Sequence, residues 1–487
     1  TGTEHFDVIV VGAGISGIGA AWHLSKQMAG TSFAVLEVQG GFGGTWRSHN
    51  FPGIRSDSDL YTFGYHFKPW IGPPIAAAAE IQRYLGEVIE ENDLGKNIRY
   101  GHRILSARWS TADARWTLEA ERTDTGEKLH FSCNFLWMCQ GYFRHRQGYM
   151  PEWPGMADFK GTVAHCEEWP ENLDYAGKQV VVIGSGATAA TVVPAMAETA
   201  AHVTMLQRSP TYFLPSPNAN EFADTLRKLQ VDEALVHELT RRKNNFDMAE
   251  ITRRSFEEPD ALREELLEGV RSLLPPDFDM KHFTPSYGPW RQRLALVPDG
   301  DMFQSINAGK ASVVTDEIDH FTADGIALKS GKTLKADIIA AATGFNLCVM
   351  GDIRFSVDGE PVDFSQSVTY RGMMFTGVPN LIHVFGYFRN SWTLRSDLVA
   401  QYTCRLLAHM RAKGARQVMP ALRPEDHNMH LGQWIEPEDM NSGYLARGVH
   451  LLPRAGDKPE WRHSQDYWRE KDEFAHYPLD DSALRYS

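Results

Sequence analysis

One pattern constrains this chain more than any other, and it occurs twice. Phe6-Asp7-Val8-Ile9-Val10-Val11 runs straight into Gly12-Ala13-Gly14-Ile15-Ser16-Gly17 and then into a helical stretch ending near Met28. A short β-branched run of this kind predicts a buried parallel strand. Gly12 permits a tight turn, Gly14 lets the backbone approach a pyrophosphate, and Gly17 allows close packing of helix on strand. The helix start then offers free N–H groups and a partial positive charge to phosphates. A second strand, Phe33–Leu36, ends in Glu37. A carboxylate about 20 residues past the last glycine accepts hydrogen bonds from ribose hydroxyls and repels a 2′-phosphate, which suits the adenosine of FAD or NAD.

The second copy begins at Gln179-Val180-Val181-Val182-Ile183 and continues through Gly184-Ser185-Gly186-Ala187-Thr188-Ala189, with alanine at the third glycine position. The following strand, His202–Leu206, ends in Gln207-Arg208-Ser209 with no acid. Arg208 lies one residue short of the place Glu37 takes in the first copy. A guanidinium there favours a 2′-phosphate, so the second nucleotide is expected to be NADPH. The chain is therefore expected to be α/β, with two Rossmann-like dinucleotide-binding domains, the second inserted in the first. Two such nucleotides brought together imply hydride transfer from NADPH to a flavin.

Charge and length exclude several other classes. The 487 residues carry 49 Lys and Arg against 62 Asp and Glu, a formal charge of −13. Such a surface repels nucleic acid and anionic membranes. No apolar run reaches the ~18 residues that a membrane helix needs, and the first residues show no basic-then-apolar leader. The five cysteines are scattered without a CxxC pair, which argues against a disulfide framework or zinc cluster and for a reducing cytoplasm.

Between and beyond the two motifs the reading is coarser. An amphipathic helix is expected at Ala78–Glu91, β structure over Arg103–Phe131, and a strand at Phe135–Met138. Charged helical stretches such as Ala261–Leu274 are read as an insertion with a solvated face. Further strands are expected at Ala336–Ala341, ending in Ala342-Thr343-Gly344, and at Asn380–Phe385. A helix should follow from about Leu394 to Met410. The expected organisation is a first nucleotide domain at 1–145, a second at 150–215, a helical insertion at 216–290, the rest of the second domain at 291–375, and the rest of the first at 376–487. Residues from about 415 are read as an irregular arm.

The stretch Phe159-Lys160-Gly161-Thr162-Val163-Ala164-His165-Cys166-Glu167-Glu168-Trp169-Pro170 matches FxGxxxHxxxW followed by Pro or Asp at every fixed position. In this the chain resembles the Baeyer–Villiger monooxygenases, a class of two-dinucleotide flavoproteins. Gly43-Gly44-Thr45-Trp46, Phe51-Pro52-Gly53 and Arg55-Ser56-Asp57-Ser58-Asp59 resemble that family's flavin-side loop. His282-Phe283-Thr284-Pro285 through Pro289-Trp290-Arg291-Gln292-Arg293 is similar to a bacterial subgroup that includes ethionamide-activating enzymes. The resemblance implies FAD and NADPH as cofactors and dioxygen as co-substrate. It also implies insertion of one oxygen beside a ketone carbonyl through a negatively charged flavin peroxide, with sulfoxidation as a companion activity.

Residue roles follow from the same resemblance. Arg293 aligns with the active-site arginine, with Arg291 two residues away as the alternative register, and Asp57 with the acid that orients it. On the flavin side Gly44, Thr45, Trp46, Asp57 and Tyr61 are expected to face the cofactor. On the other side the expected set is Gly184, Gly186, Thr188 and Arg208, with Ala342, Thr343 and Gly344 after the later strand. His165 and Trp169 are read as parts of a linker coupling the two nucleotide sites, and no metal is expected. A small hydrophobic ketone or sulfide is expected to bind near Tyr61–Phe67, Asn346–Met350 and Gly386–Trp392, with Tyr65, Tyr387, Phe388 and Trp392 as aromatic lining. A flavin monooxygenase acting on sulfur or nitrogen shares every motif except Trp169-Pro170. A disulfide reductase would need a cysteine pair beside the flavin, which the spacing of Cys133 and Cys139 does not provide. A non-enzymatic redox sensor would not need the Arg293–Asp57 pair.

Overall fold

The computed structural model describes residues 2–438 and 440–487. The two glycine motifs lie on two separate sheets. Among the described residues the first sheet has nine strands. Its parallel half runs, in spatial order, Ile98–Arg99, Phe33–Leu36, Glu4–Val11, Lys128–Met138 and Leu381–His383. The register brings the carboxyl ends level, with Val11 beside Leu36 and Met138, and Met138 beside His383. In open parallel sheets of this kind ligands bind outside those ends.

The long strand Lys128–Met138 joins two kinds of pairing. Its first half pairs antiparallel with Arg115–Arg122, which pairs in turn with His102–Ser110. Its second half lies between parallel neighbours, and its last four residues are all buried. An alternating start and a continuously apolar end are the patterns that one-sided and two-sided burial produce. Along Glu4–Val11 successive side chains point to opposite faces. Val8 and Val10 join Ile18, Leu24, Val399 and Tyr402 in one core, and Ile9 joins Trp116, Leu136 and Phe385 in the other.

The second sheet has five parallel strands in the order Ala311–Thr315, His202–Gln207, Gln179–Ile183, Ile338–Ala341 and Thr162–His165. Between the strands Phe213–Ser216 and Ala295–Pro298, which pair with each other, come the helices Glu221–Lys228, Glu233–Glu257 and Pro259–Arg271. The long middle helix is not merely a solvated face. Its Arg241 donates to the carbonyls of Tyr61 and Gly64 at 2.6 and 2.7 Å, and Asn244 donates to Asp59 at 3.0 Å. The insertion thereby holds the loop that carries Asp57.

Two expectations about organisation need correction. Arg354–Val357 pairs with Ser106–Trp109, so the chain is back on the first sheet well before residue 376. The segment after 415 is not a loose arm. Val418–Pro420 pairs with Leu484–Tyr486, Trp461 is fully buried, and Glu470 forms a buried ion pair with Arg395 at 3.2 Å. A charged, proline-rich composition concealed partners that lie far away in sequence.

Candidate functional site

The carboxyl ends of both sheets open into one cavity of about 1050 Å³. Gly12 has φ of +102°, and a Cβ there would sit 2.6 Å from the carbonyl oxygen of Cys139. A Cβ on Gly17 would lie 1.8 Å from the carbonyl oxygen of Gly12, so neither position accepts a side chain without movement. Gly14 caps the helix Ile15–Gln27 without a side-chain hydrogen bond, and Gly186 caps Ala187–Ala197 in the same way. Both helix starts thus keep unsatisfied N–H groups at the cavity wall.

Glu37 lines the same cavity and is 4% exposed. Its oxygens accept hydrogen bonds from the N–H groups of Ala13 and Gln39, each at 2.7 Å. Burial pushes its carboxyl pKa up, against the pull of these two N–H groups. Gly44, Thr45 and Trp46 line the cavity beside Gly14, and Gly186, Thr188, Ala342 and Gly344 line it from the second sheet. Among the described residues, the buried Gln140 Oε1 on the cavity wall has no hydrogen-bond partner. Uncapped helix starts, a buried ribose-type acid and an orphaned amide oxygen together fit two dinucleotides.

Arg293 and Asp57 meet inside the cavity, with Arg293 Nη1 donating to Asp57 Oδ2 at 2.5 Å. The second anchor of the guanidinium, from Nε to the Phe388 carbonyl, is 3.4 Å long. Burial works against the charge on Arg293, but the Asp57 carboxylate outweighs it and holds the pKa above its ordinary value. Desolvation keeps both phenols protonated. Arg291 is turned away, donating to the Glu438 carbonyl at 2.5 Å with its guanidinium 4.8 Å from the Phe256 ring centre. Of the two arginines, it is Arg293 that faces the cavity.

Several residues expected at the site do not line it. Tyr61 is buried against the insertion, its ring 6.1 Å from that of His237. Thr343 donates instead to the Tyr149 carbonyl at 2.5 Å and lies 3.3 Å from His165 Nε2. Gly17 and Gly184 serve packing behind the loops. Arg208 is exposed beside the second glycine loop, its segment tied there by Ser185 Oγ, which donates to the Ser209 carbonyl at 3.0 Å. Of the expected substrate aromatics, Trp392 lines the cavity, stacked on Tyr142 at 4.9 Å. Tyr65 and Tyr387 belong to the core, where their hydroxyls donate to the Ile15 carbonyl and to Glu470. Phe388 packs beside Phe385, their rings 5.6 Å apart.

The Phe159–Pro170 stretch forms a half-buried seam that includes the edge strand Thr162–His165 of the second sheet, with Phe159, Ala164, His165, Cys166, Glu167 and Trp169 buried. His165 accepts from the Glu167 N–H at Nδ1 and donates from Nε2 to the Tyr149 carbonyl, at 3.1 Å each. Burial lowers its pKa, so the ring is neutral. Sequence reasoning missed the pairing of Glu167 with His49, 2.6 Å apart and almost fully buried. His49 follows the short helix Thr45–Ser48, so this contact ties the seam to the flavin-side loop. No local pattern announces it, because neither residue sits at a fixed motif position. All five cysteines are free and buried, and Cys133 and Cys139 form no bridge.

The chain matches the family model described as pyridine nucleotide-disulphide oxidoreductase over residues 6–259. A probable FAD-binding monooxygenase AlmA from Acinetobacter sp. is 44% identical over 99% of this chain and 96% of the relative. An FAD-containing monooxygenase EthA from Mycolicibacterium smegmatis is 43% identical over 100% of this chain and 98% of the relative. Among solved structures, an oxidized steroid monooxygenase bound to NADP aligns over 99% of both chains with a TM-score of 0.76 at 21% identity.

Proposed function

The chain belongs to the FAD-containing monooxygenases, in the class that its Phe159–Pro170 stretch marks, and on that premise we propose that it converts a small hydrophobic ketone to an ester or lactone. It is an enzyme with FAD and NADPH as cofactors. The chemistry that bound FAD would supply is reduction by NADPH and activation of dioxygen for transfer to the substrate.

The chain's own residues have four tasks. The loop Gly12–Gly17 and the helix start behind it would hold one pyrophosphate, with Glu37 on the ribose hydroxyls. The loop Gly184–Ala189 would hold the other, with exposed Arg208 on the 2′-phosphate. Arg293 keeps a fixed cation where negative charge develops during oxygen transfer, and Asp57 aims its fork of donors without taking a proton. Tyr142, Trp392 and Phe63 give that space an apolar wall that excludes water and accepts a hydrophobic substrate. No nucleophilic serine, general-base histidine or metal ligand is needed.

The observation that carries this reading is the Arg293–Asp57 pair at 2.5 Å inside a cavity lined by both glycine loops. The carbonyl is favoured over sulfur because a fixed cation supports attack by an anionic oxidant. The test supplies purified protein with FAD, NADPH and air, and offers one ketone and one sulfide with product identification. Ester from the ketone, and its loss in Arg293→Ala with FAD still bound, is expected. Sulfoxide with no ester would refute the carbonyl assignment, and ester at the parent rate from Arg293→Ala would refute the role given to Arg293.

A further inference from the structure

A second cluster of chemically capable side chains lies away from the cavity, behind the first glycine motif. His23 stands in the helix Ile15–Gln27, Asp397 in the helix Trp392–Lys413, and His66 in the loop just after Leu60–Phe63. Three separate elements thus bring two imidazole nitrogens and one carboxylate oxygen within 4.8 Å of one another. His23 Nε2 is 2.7 Å from Asp397 Oδ1, and His66 Nδ1 is 3.0 Å from the same oxygen. None of the roles proposed above uses these residues.

The groups are held from behind as well as from each other. The Gln27 amide is 2.7 Å from His23 Nδ1, and the Gln401 amide donates to Asp397 Oδ2 at 3.0 Å. Trp22 sets its ring edge-on to both imidazoles, at 4.9 and 5.7 Å, and stacks on Phe67 at 3.8 Å. Outer partners that fix the orientation of first ligands are a regular feature of metal centres. Burial grades outward from His23 at 2% through Asp397 at 18% to His66 at 41%, which leaves one side open to water.

We propose that His23, His66 and Asp397 form a binding site for a divalent first-row transition ion of the Zn²⁺ type, completed by water. Two imidazoles and a carboxylate are a donor set that suits such an ion better than Mg²⁺ or Ca²⁺, which prefer oxygen. Bonds of about 2.0–2.2 Å in a tetrahedron place neighbouring donor atoms roughly 3.3 Å apart. The present 2.7 and 3.0 Å separations are hydrogen-bond lengths, so the His23–Asp397 pair opens by about 0.6 Å through a shift of partly exposed Asp397, and exposed His66 follows to widen its own contact by about 0.3 Å. The protons balance through a tautomer shift at each ring, with His66 moving its proton from Nδ1 to Nε2 as His23 moves its own the other way, and water as the carrier. In the metal-free pair the His23 Nε2–H donates to Asp397. On binding, Nε2 gives its lone pair to the ion, the ring proton moves to Nδ1, and Gln27 turns its amide to present oxygen. The ion would clamp the 64–67 loop and the helix Trp392–Lys413 onto the helix whose start faces the cavity.

The test uses the FAD-loaded protein, dialysed against chelator and titrated with Zn²⁺ by calorimetry, with thermal melts in parallel. The parent protein should take up one ion more tightly than millimolar and melt at a higher temperature when loaded. His66→Ala, a change at an exposed position, and Asp397→Asn should each lose that ion and the thermal gain while retaining bound FAD. If the parent binds no ion in this range, or if both variants bind with the parent's stoichiometry and affinity, the assignment is overturned. Uptake by both variants would place the ion on other histidines or cysteines of the chain.

Discussion

Replacing Asp57 by alanine separates the structural worth of its contact with Arg293 from the chemical one. The pair is joined by a single charge-assisted hydrogen bond of 2.5 Å, and the two side chains are 36% and 38% exposed, through the cavity. Unit charges about 4 Å apart attract by about 4 kcal/mol in a protein-like dielectric and about 1 kcal/mol in water. With more than a third of each group open to cavity solvent, screening brings the stability contribution down to about 1–2 kcal/mol. The expected effect on the melting temperature of a chain this long is therefore small. The effect on turnover is larger. Without Asp57 the guanidinium keeps, among the described residues, the 3.4 Å contact to the Phe388 carbonyl, which is too long to fix its direction. A preorganised donor is worth about 3 kcal/mol in the transition state, so losing its aim slows ester formation about 100-fold. Asp57→Asn keeps an acceptor but no charge and should fall between the two. The assay is ketone-dependent product formation at saturating NADPH, with bound FAD checked by its absorbance. Adding Asp57→Ala to Arg293→Ala should cost little more than Arg293→Ala alone, since both act through one group. Ester formation by Asp57→Ala at close to the parent rate would refute the reasoning.

Three further outcomes are expected. Arg208→Ala should raise KM for NADPH by about 10- to 100-fold, with NADH unaffected, because one charge-assisted contact to phosphate is worth about 1.5–3 kcal/mol; equal effects on both nucleotides would remove Arg208 from the 2′-phosphate site. Glu470→Ala should destabilise by about 3–5 kcal/mol in chemical denaturation, because it strands Arg395, which is fully buried. His237 accepts from the Trp70 N–H at 3.2 Å and donates to the Tyr65 carbonyl at 2.9 Å, and burial, with Arg241 nearby, lowers its pKa to about 4. A neutral ring is required in the fold, so this stability is present above about pH 6.5 and is lost as pH falls towards 4. At pH 5 the loss is about 2 kcal/mol, and His237→Asn should flatten that part of the stability profile measured by denaturant titration.

What the sequence disclosed and what it hid follow from the range of the interactions. Phe33–Leu36 and Gln179–Ile183 fold as read because Phe33–Leu36 and Val180–Ile183 are unbroken apolar runs followed by Glu37 and Gly184, and Ala78–Glu91 because its apolar residues recur at helical spacing. The glycine loops were legible because steric need at Gly12 and Gly17 is local. The direction of Tyr61 was not, since the helix Leu60–Phe63 has four residues and all four are buried, leaving no periodicity to read. Thr343 was misplaced because its partner, the Tyr149 carbonyl, lies 194 residues away. The same distance effect hid His49–Glu167, Arg395–Glu470 and the pairing of Arg354–Val357 with Ser106–Trp109.

The interleaving of the two sheets sets an order of events during synthesis. Every strand of the five-stranded sheet lies between Thr162 and Ala341, so that unit has all its parts as soon as this stretch has left the ribosome. The nine-stranded sheet, although it begins at Glu4, waits for Arg354–Val357 and Leu381–His383 to be made. The inner unit thus matures while the outer one still has open edges, and Glu470 reaches Arg395, on the helix that begins at Trp392, later still. A chain ending before that residue keeps both glycine loops and loses the clasp that holds the helix behind Trp392 in place.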